Sequence, residues 1–291
     1  MTFAAITQRI TGNAACTFDF TSYGTPIGDM IYGIQQFSVK PPVGHHLQNI
    51  GFSYEVSADT GPGHQTVEII QQVAAGADLS TSYADVAVLA FLGGTNPPNI
   101  SLTNQTVPMG ASGSSPIQPK NPPTNAAAVL GGFVLSFSND ALLTGLGASA
   151  GISCVPGSPD VTPVASGALL GDSAFSGTVD AGAIVLGPGV PGIFVQAEPF
   201  SAASTPVDAS APFAPKSVAV LVQSFYTQFW GEDYAPFFDS LTVGASNVQC
   251  HGSQVSATVG IDLEGTALAP GPTSPERVTS TVGTALVVAT Q

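Results

Sequence analysis

The sequence predicts an all-β chain: three tandem copies of a small antiparallel β-sandwich unit, jelly-roll-like or lectin-like, joined by Pro/Gly-rich connectors. Three observations predict this. First, the same anchors recur at matching offsets. Phe37 in GIQQFSVK answers Phe133 in GGFVLSFS, Ile50-Gly51 follows the first as Leu146-Gly147 follows the second, and closing apolar strands begin from Tyr83 and Val179. A looser third set is Phe225, Leu241 and Val282. Self-similarity at a fixed period is the signature of a repeated unit. Second, Val255, Ala257, Val259, Ile261 and Leu263 alternate with Ser256, Thr258, Gly260 and Asp262. That period of two is a strand with one buried face. Third, Gly/Pro-rich turns such as DTGPGH and PGSPD break the chain at short intervals, which suits a sandwich or barrel.

In chain order, residues 1–30 form a lead-in whose aromatics alternate in TFDFTSYGTPIGDM, an extra strand or an arm onto a neighbour. The first copy spans 31–92. It holds IYGIQQFSV, then Ile50, Phe52, Tyr54 and Val56 at period two, then QTVEIIQQV and YADVAVLAF. QTVEIIQQV contains good helix formers, but its counterpart DVTPVASGALLGD carries Pro163. Proline disturbs a helix interior, so both read as strands. Residues 93–125 form a connector with one short strand at ISLTNQTV. The second copy spans 126–187, where GLGASAGISCV answers NIGFSYEVSAD. A second connector covers 188–216. The third copy, 217–291, carries two insertions, one bringing Trp230 and GEDYAP and one reading GTALAPGPTSPER. Units this small bury only about 60% of their unfolded surface alone, so the copies are expected to pack on one another or on partners.

Charge excludes several function classes. Charged residues are 8% of the 291-residue chain, with five basic and nineteen acidic side chains, net −14. Nucleic-acid affinity rests on Lys and Arg meeting phosphates, and anionic membrane surfaces also attract basic clusters. Neither partner is expected. No apolar run approaches the ~20 residues of a membrane span. The start, MTFAAITQRITGNAACTFDF, lacks a basic region followed by a long apolar one. Synthesis in the cytoplasm without a secretory signal is expected, with the protein reaching the outside as part of a particle. A hydrophobic content of 44% argues against disorder. Cys16, Cys154 and Cys250 are too few and too odd in number for a disulfide framework. Cys154 and Cys250 fall at nearly the same place in their copies and read as small buried hydrophobes.

Candidate chemistry is sparse. Trp230, Glu232, Asp233, Tyr234 and Asp239 make the densest aromatic–acidic cluster. Such a cluster can bind a sugar, with rings stacking on C–H faces and carboxylates accepting from hydroxyls; the competing reading is a core or inter-copy seam. A glycosidase would need two carboxylates at a defined separation, which the sequence does not fix. His45, His46 and His64 are weak metal candidates, because adjacent residues of a strand point to opposite faces. GASGS at 110–114 is the nearest approach to a nucleophile elbow and lacks a strand-to-helix setting. VLGPGVPG has no Lys-Ser/Thr for a phosphate loop. The Asn-X-Ser/Thr acceptors at Asn99 and Asn104 are expected to be idle. No catalytic residues, cofactor or metal are therefore expected. The expectation is a non-enzymatic structural or adhesive subunit of a multi-subunit particle, a virion or tail-like assembly. It would associate with itself or with other subunits. The alternative is a lectin-like module binding a cell-surface glycan through the third copy, and a hydrolase is a distant third.

Overall fold

A computed structural model describes the chain except at residues 1, 41–48, 60–64, 75–76, 94–98, 110–112, 114, 120–121, 138–142, 155–158, 172–174, 202–203, 230–236 and 267–277. The described chain is all-β. The lead-in forms β1 (Thr2–Thr11) and β2 (Ala15–Asp19). The first matched stretch forms β3 (Ile27–Val39), β4 (Asn49–Asp59), β5 (Thr66–Val73) and β6 (Tyr83–Leu92). After β7 (Ile100–Pro108), the second forms β8 (Asn125–Phe137), β9 (Leu143–Cys154), β10 (Val161–Gly171) and β11 (Phe175–Leu186). After β12 (Ile193–Phe200) and β13 (Thr205–Ser210), the third forms β14 (Ser217–Phe229), β15 (Phe237–His251), β16 (Gln254–Thr266) and β17 (Val278–Thr290). The QTVEIIQQV segment is a strand, with its side chains alternately buried and exposed.

The strands form three antiparallel sheets, ordered β1-β6-β3-β15-β16-β13, β2-β5-β4-β8-β11-β7 and β10-β9-β14-β17-β12. One pairing scheme runs through all three. The first strand of each matched stretch pairs with the fourth (β3 with β6, β8 with β11, β14 with β17), and the second pairs with the third. The second strand also pairs with the first strand of another stretch: β4 with β8, β9 with β14, and β15 back to β3. The sheets therefore do not coincide with the stretches, as three separate sandwiches would require. Each sheet takes a hairpin from one stretch and an outer pair from another. An amphipathic strand must bury one face, but its sequence leaves open which strand supplies the neighbour.

The sequence anchors meet in register. Phe52 lies opposite Phe133, Ala148 opposite Phe225 and Val243 opposite Phe37. Just ahead of each of these phenylalanines the strand bulges, at Gln35, Gly131 and Gln223. A bulge adds one residue and reverses the alternation of side chains along its strand. Phe37, Phe133 and Phe225 then converge, with ring centroids 5.1–5.2 Å apart in all three pairs. They sit in a core fed by all three sheets. A second core gathers Phe91, Val129 and Leu221, again one from each sheet. The closing strands match less simply. Ala84, Val179 and Gly283 occupy the like position, so Tyr83 and Val282 stand one place ahead of Val179.

Two readings are corrected. The first connector carries the expected ISLTNQTV strand as β7, but the second also carries two strands, β12 and β13, which contain Pro199 and Pro206. Both are edge strands, where a missing N–H costs no ladder bond on the outer side. Cys154 and Cys250 do lie in corresponding strands, but Cys154 is exposed and Cys250 half-buried. Each lies toward the end of its own hairpin, opposite Val161 and Val255 respectively.

Candidate functional site

The sequence candidates fall mostly outside the described residues. Trp230, Glu232, Asp233, Tyr234, His45, His46 and His64 lie there, and Asp239 is placed only as backbone within β15. Among the described residues no group of three His, Cys, Asp or Glu could hold a metal ion. Of GASGS, Gly113 is described, and its N–H donates to the Pro163 carbonyl at 2.7 Å. Asn104 is committed to the fold. Its Nδ2 donates to the Tyr32 carbonyl at 3.0 Å and its Oδ1 accepts the Tyr32 N–H at 3.1 Å, joining β7 to β3 across two sheets.

Two features of the described residues carry chemistry. The first is a groove of about 260 Å³ on the third sheet, where β9, β10, β14 and β17 run side by side. Its polar lining is Ser149, Ser166, Ser224, Thr284 and Tyr226. The Ser149 and Ser166 hydroxyls are hydrogen-bonded at 2.6 Å. A Cβ placed on Gly147 would stand 3.0 Å from Tyr226 Cδ2, and one on Gly145 would stand 3.3 Å from its hydroxyl. The Tyr226 ring therefore lies along β9 over two glycines. Partial burial raises the pKa of its phenol, so it stays a neutral donor and acceptor at physiological pH. Val282, which also lines the groove, is an exposed aliphatic side chain.

Gly147, on the groove side of β9, leaves the room that the Tyr226 ring takes. On the opposite, buried face Ala148 stands where the other sheets place Phe52 and Val243 opposite their phenylalanines. In the first sheet Tyr83 and Asp85 take the places that Val282 and Thr284 hold here. Arg9 makes a two-pronged contact to Asp85 at 2.7 and 2.8 Å, and its guanidinium lies 3.8 Å from the Tyr83 ring centroid. Hydroxyls that both donate and accept, beside one aromatic face, suit a neutral polyhydroxylated ligand. Sequence reading missed these residues because serine, threonine and glycine are common throughout the chain.

The second feature is a buried polar cluster between the first and second sheets. Asp180 on β11 is 7% exposed. Thr106 Oγ1 donates to its Oδ1 at 2.6 Å, and Tyr32 Oη donates to its Oδ2 at 3.4 Å. Tyr54 packs edge-on against Tyr32 at 5.8 Å, and its buried hydroxyl has no hydrogen-bond partner. Burial pushes the pKa of both tyrosines upward. It also raises that of Asp180, against the opposing effect of its two hydroxyl donors. The signal for Asp180 was its recurrence: YADV and TVDA place Asp85 and Asp180 alike in the first and second matched stretches. No protein-family model matches the chain, and no curated protein matches it in sequence.

Proposed function

We propose that this chain is a non-enzymatic structural or adhesive subunit of a multi-subunit particle, virion-like or tail-like, made in the cytoplasm and carried to the outside within that particle. The stretches 31–92, 126–187 and 217–291 are, in this reading, three copies of one β-unit, and residues 1–30, 93–125 and 188–216 supply their outer strands. The observation that carries the reading is the closed pairing scheme, in which β15 returns to β3. A chain on a threefold plan suits a seat on the threefold axis of a symmetric assembly. The scarcity of charge supports the same reading, because a surface of Ser, Thr, Gly and Ala is cheap to desolvate against a neighbour. Proline in edge strands β7, β10, β12 and β13 opposes edge-to-edge polymerisation. Assembly would then use faces and loops.

A second reading, a carbohydrate-binding module, draws its support from the hydroxyl-lined groove and Tyr226. One experiment separates the two. Size-exclusion chromatography with light scattering, followed by electron microscopy of each peak, is expected to yield large regular assemblies. A strict monomer up to high concentration that binds glycans in a screen, and loses that binding in Tyr226→Ala, would replace the structural reading with the second. Trp230→Ala in the same screen tests whether the third copy's insertion contributes.

A further inference from the structure

Asp85 and Asp180 occupy the same place in the pairing scheme. Asp85 lies opposite Arg9 on β1, and Asp180 lies opposite Thr106 on β7. The first carboxylate has its cation at 2.7 Å. The second has a hydroxyl in the cation's place and is buried besides. The groups nearest the Asp180 carboxyl come from β3, β4, β7 and β8. β7 offers Thr106 and Asn104, and β3 offers Tyr32. Asp29 of β3 accepts the Leu102 N–H at 2.8 Å. β8 places Gly132 directly opposite. β4 offers Tyr54, while its Glu55 accepts from Gln72 on the exposed side. No Lys, Arg or His among the described residues faces the carboxyl. A buried carboxylate without a cation is costly and tends to neutralise by taking up a proton. Protonation would also give Asp180 an O–H to donate, in a cluster whose Tyr54 oxygen accepts from nothing.

We propose that Asp180 is a proton-controlled latch at the seam between the first and second sheets, holding the seam closed when protonated and straining it when ionised. The direction follows from linkage. A carboxyl whose folded-state pKa is raised contributes stability that is present in full below its unfolded value. That contribution is lost as pH rises through the folded value. The seam is therefore firmest in acid and weakens toward neutral pH.

The test is thermal unfolding of the full chain between pH 4 and pH 8, comparing each variant with wild type at every pH. Asp180→Asn cannot ionise and keeps a donor. Its Tm is expected to match wild type in acid and to exceed it by about 2–4 °C at pH 8. Tyr32→Phe removes a donor that serves the ionised form and keeps the ring. Its deficit is expected to grow from pH 4 to pH 8. The proposal is overturned if Asp180→Asn is less stable than wild type at pH 8, or if the Tyr32→Phe deficit is the same at both ends. Should Asp180→Asn fail to fold, the Tyr32→Phe comparison decides alone.

Discussion

The chain solves the same packing problem three times with different residues, and single positions show how. Gly33, Val129 and Leu221 hold corresponding places on β3, β8 and β14, four residues ahead of Phe37, Phe133 and Phe225. They meet in the second core. A Cβ on Gly33 would collide with Val129 Cγ1 and stand 3.2 Å from Leu221 Cδ1. One glycine thus leaves the room that a valine and a leucine fill. Interiors are close-packed, so even one added methyl is felt there. Gly33→Ala is expected to cost ~1–3 kcal/mol through overpacking. Val129→Ala removes the colliding methyl groups. In the double variant the two losses should fall short of their sum by at least ~0.5 kcal/mol, the signature of residues in contact. Urea-unfolding midpoints of the four chains measure this coupling. Simple addition of the two losses would mean that the three positions do not share one space.

At the scale of strands, close approach decides where substitutions are tolerated. Gly51 on β4 has φ +134°, and a Cβ there would run into the carbonyl of Phe133 on β8. Gly24, at φ +69°, has nothing within 4 Å of its Cβ position. Both backbones disfavour L side chains, but only the first also blocks a neighbouring strand. Gly51→Ala is expected to cost clearly more than ~1 kcal/mol, and more than Gly24→Ala, in paired denaturant titrations. Equal losses would mean that backbone conformation alone sets the cost. This same glycine shows what the sequence could reveal. The spacing of Phe37 to Ile50-Gly51 was legible because aromatic bulk and a close strand crossing each demand one residue type. The exchange of partners, β4 to β8 and β15 to β3, was not legible, since period-two patterning sets the buried face and not the neighbour. Strands β12 and β13 were hidden by Pro199 and Pro206, which read as breakers yet sit harmlessly on edges. Tyr226 and its serines were hidden for another reason: they belong to the residue types that cover the rest of the chain. The Trp230–Asp239 cluster was conspicuous in sequence, and its side chains lie outside the described residues.

For the whole molecule, closure has a cost and a consequence. The third matched stretch supplies β15 to β3 and β14 to β9, so two of the three sheets depend on it. Phe225 also completes the aromatic trio with Phe37 and Phe133. The pairing of β15 with β3 joins residues about two hundred positions apart, and such contacts slow folding because loop closure precedes their reward. Folding in separate steps would expose Phe37 and Phe133 on half-built sheets. The expectation is therefore a single cooperative unfolding transition for the intact chain, seen alike by calorimetry and circular dichroism. A chain ended after Lys216 retains two of the three matched stretches. If those were independent units, it would keep a sharp transition with roughly two thirds of the enthalpy, since unfolding enthalpy scales with residue number. The exchanged sheets predict otherwise. With the edges of β3 and β9 open and the phenylalanine trio broken, the shortened chain should show no cooperative transition and should aggregate through its uncovered strands. A sharp, reversible melt of the 1–216 chain would show that the first two stretches form a self-sufficient core, and that β15 merely completes a fold already made.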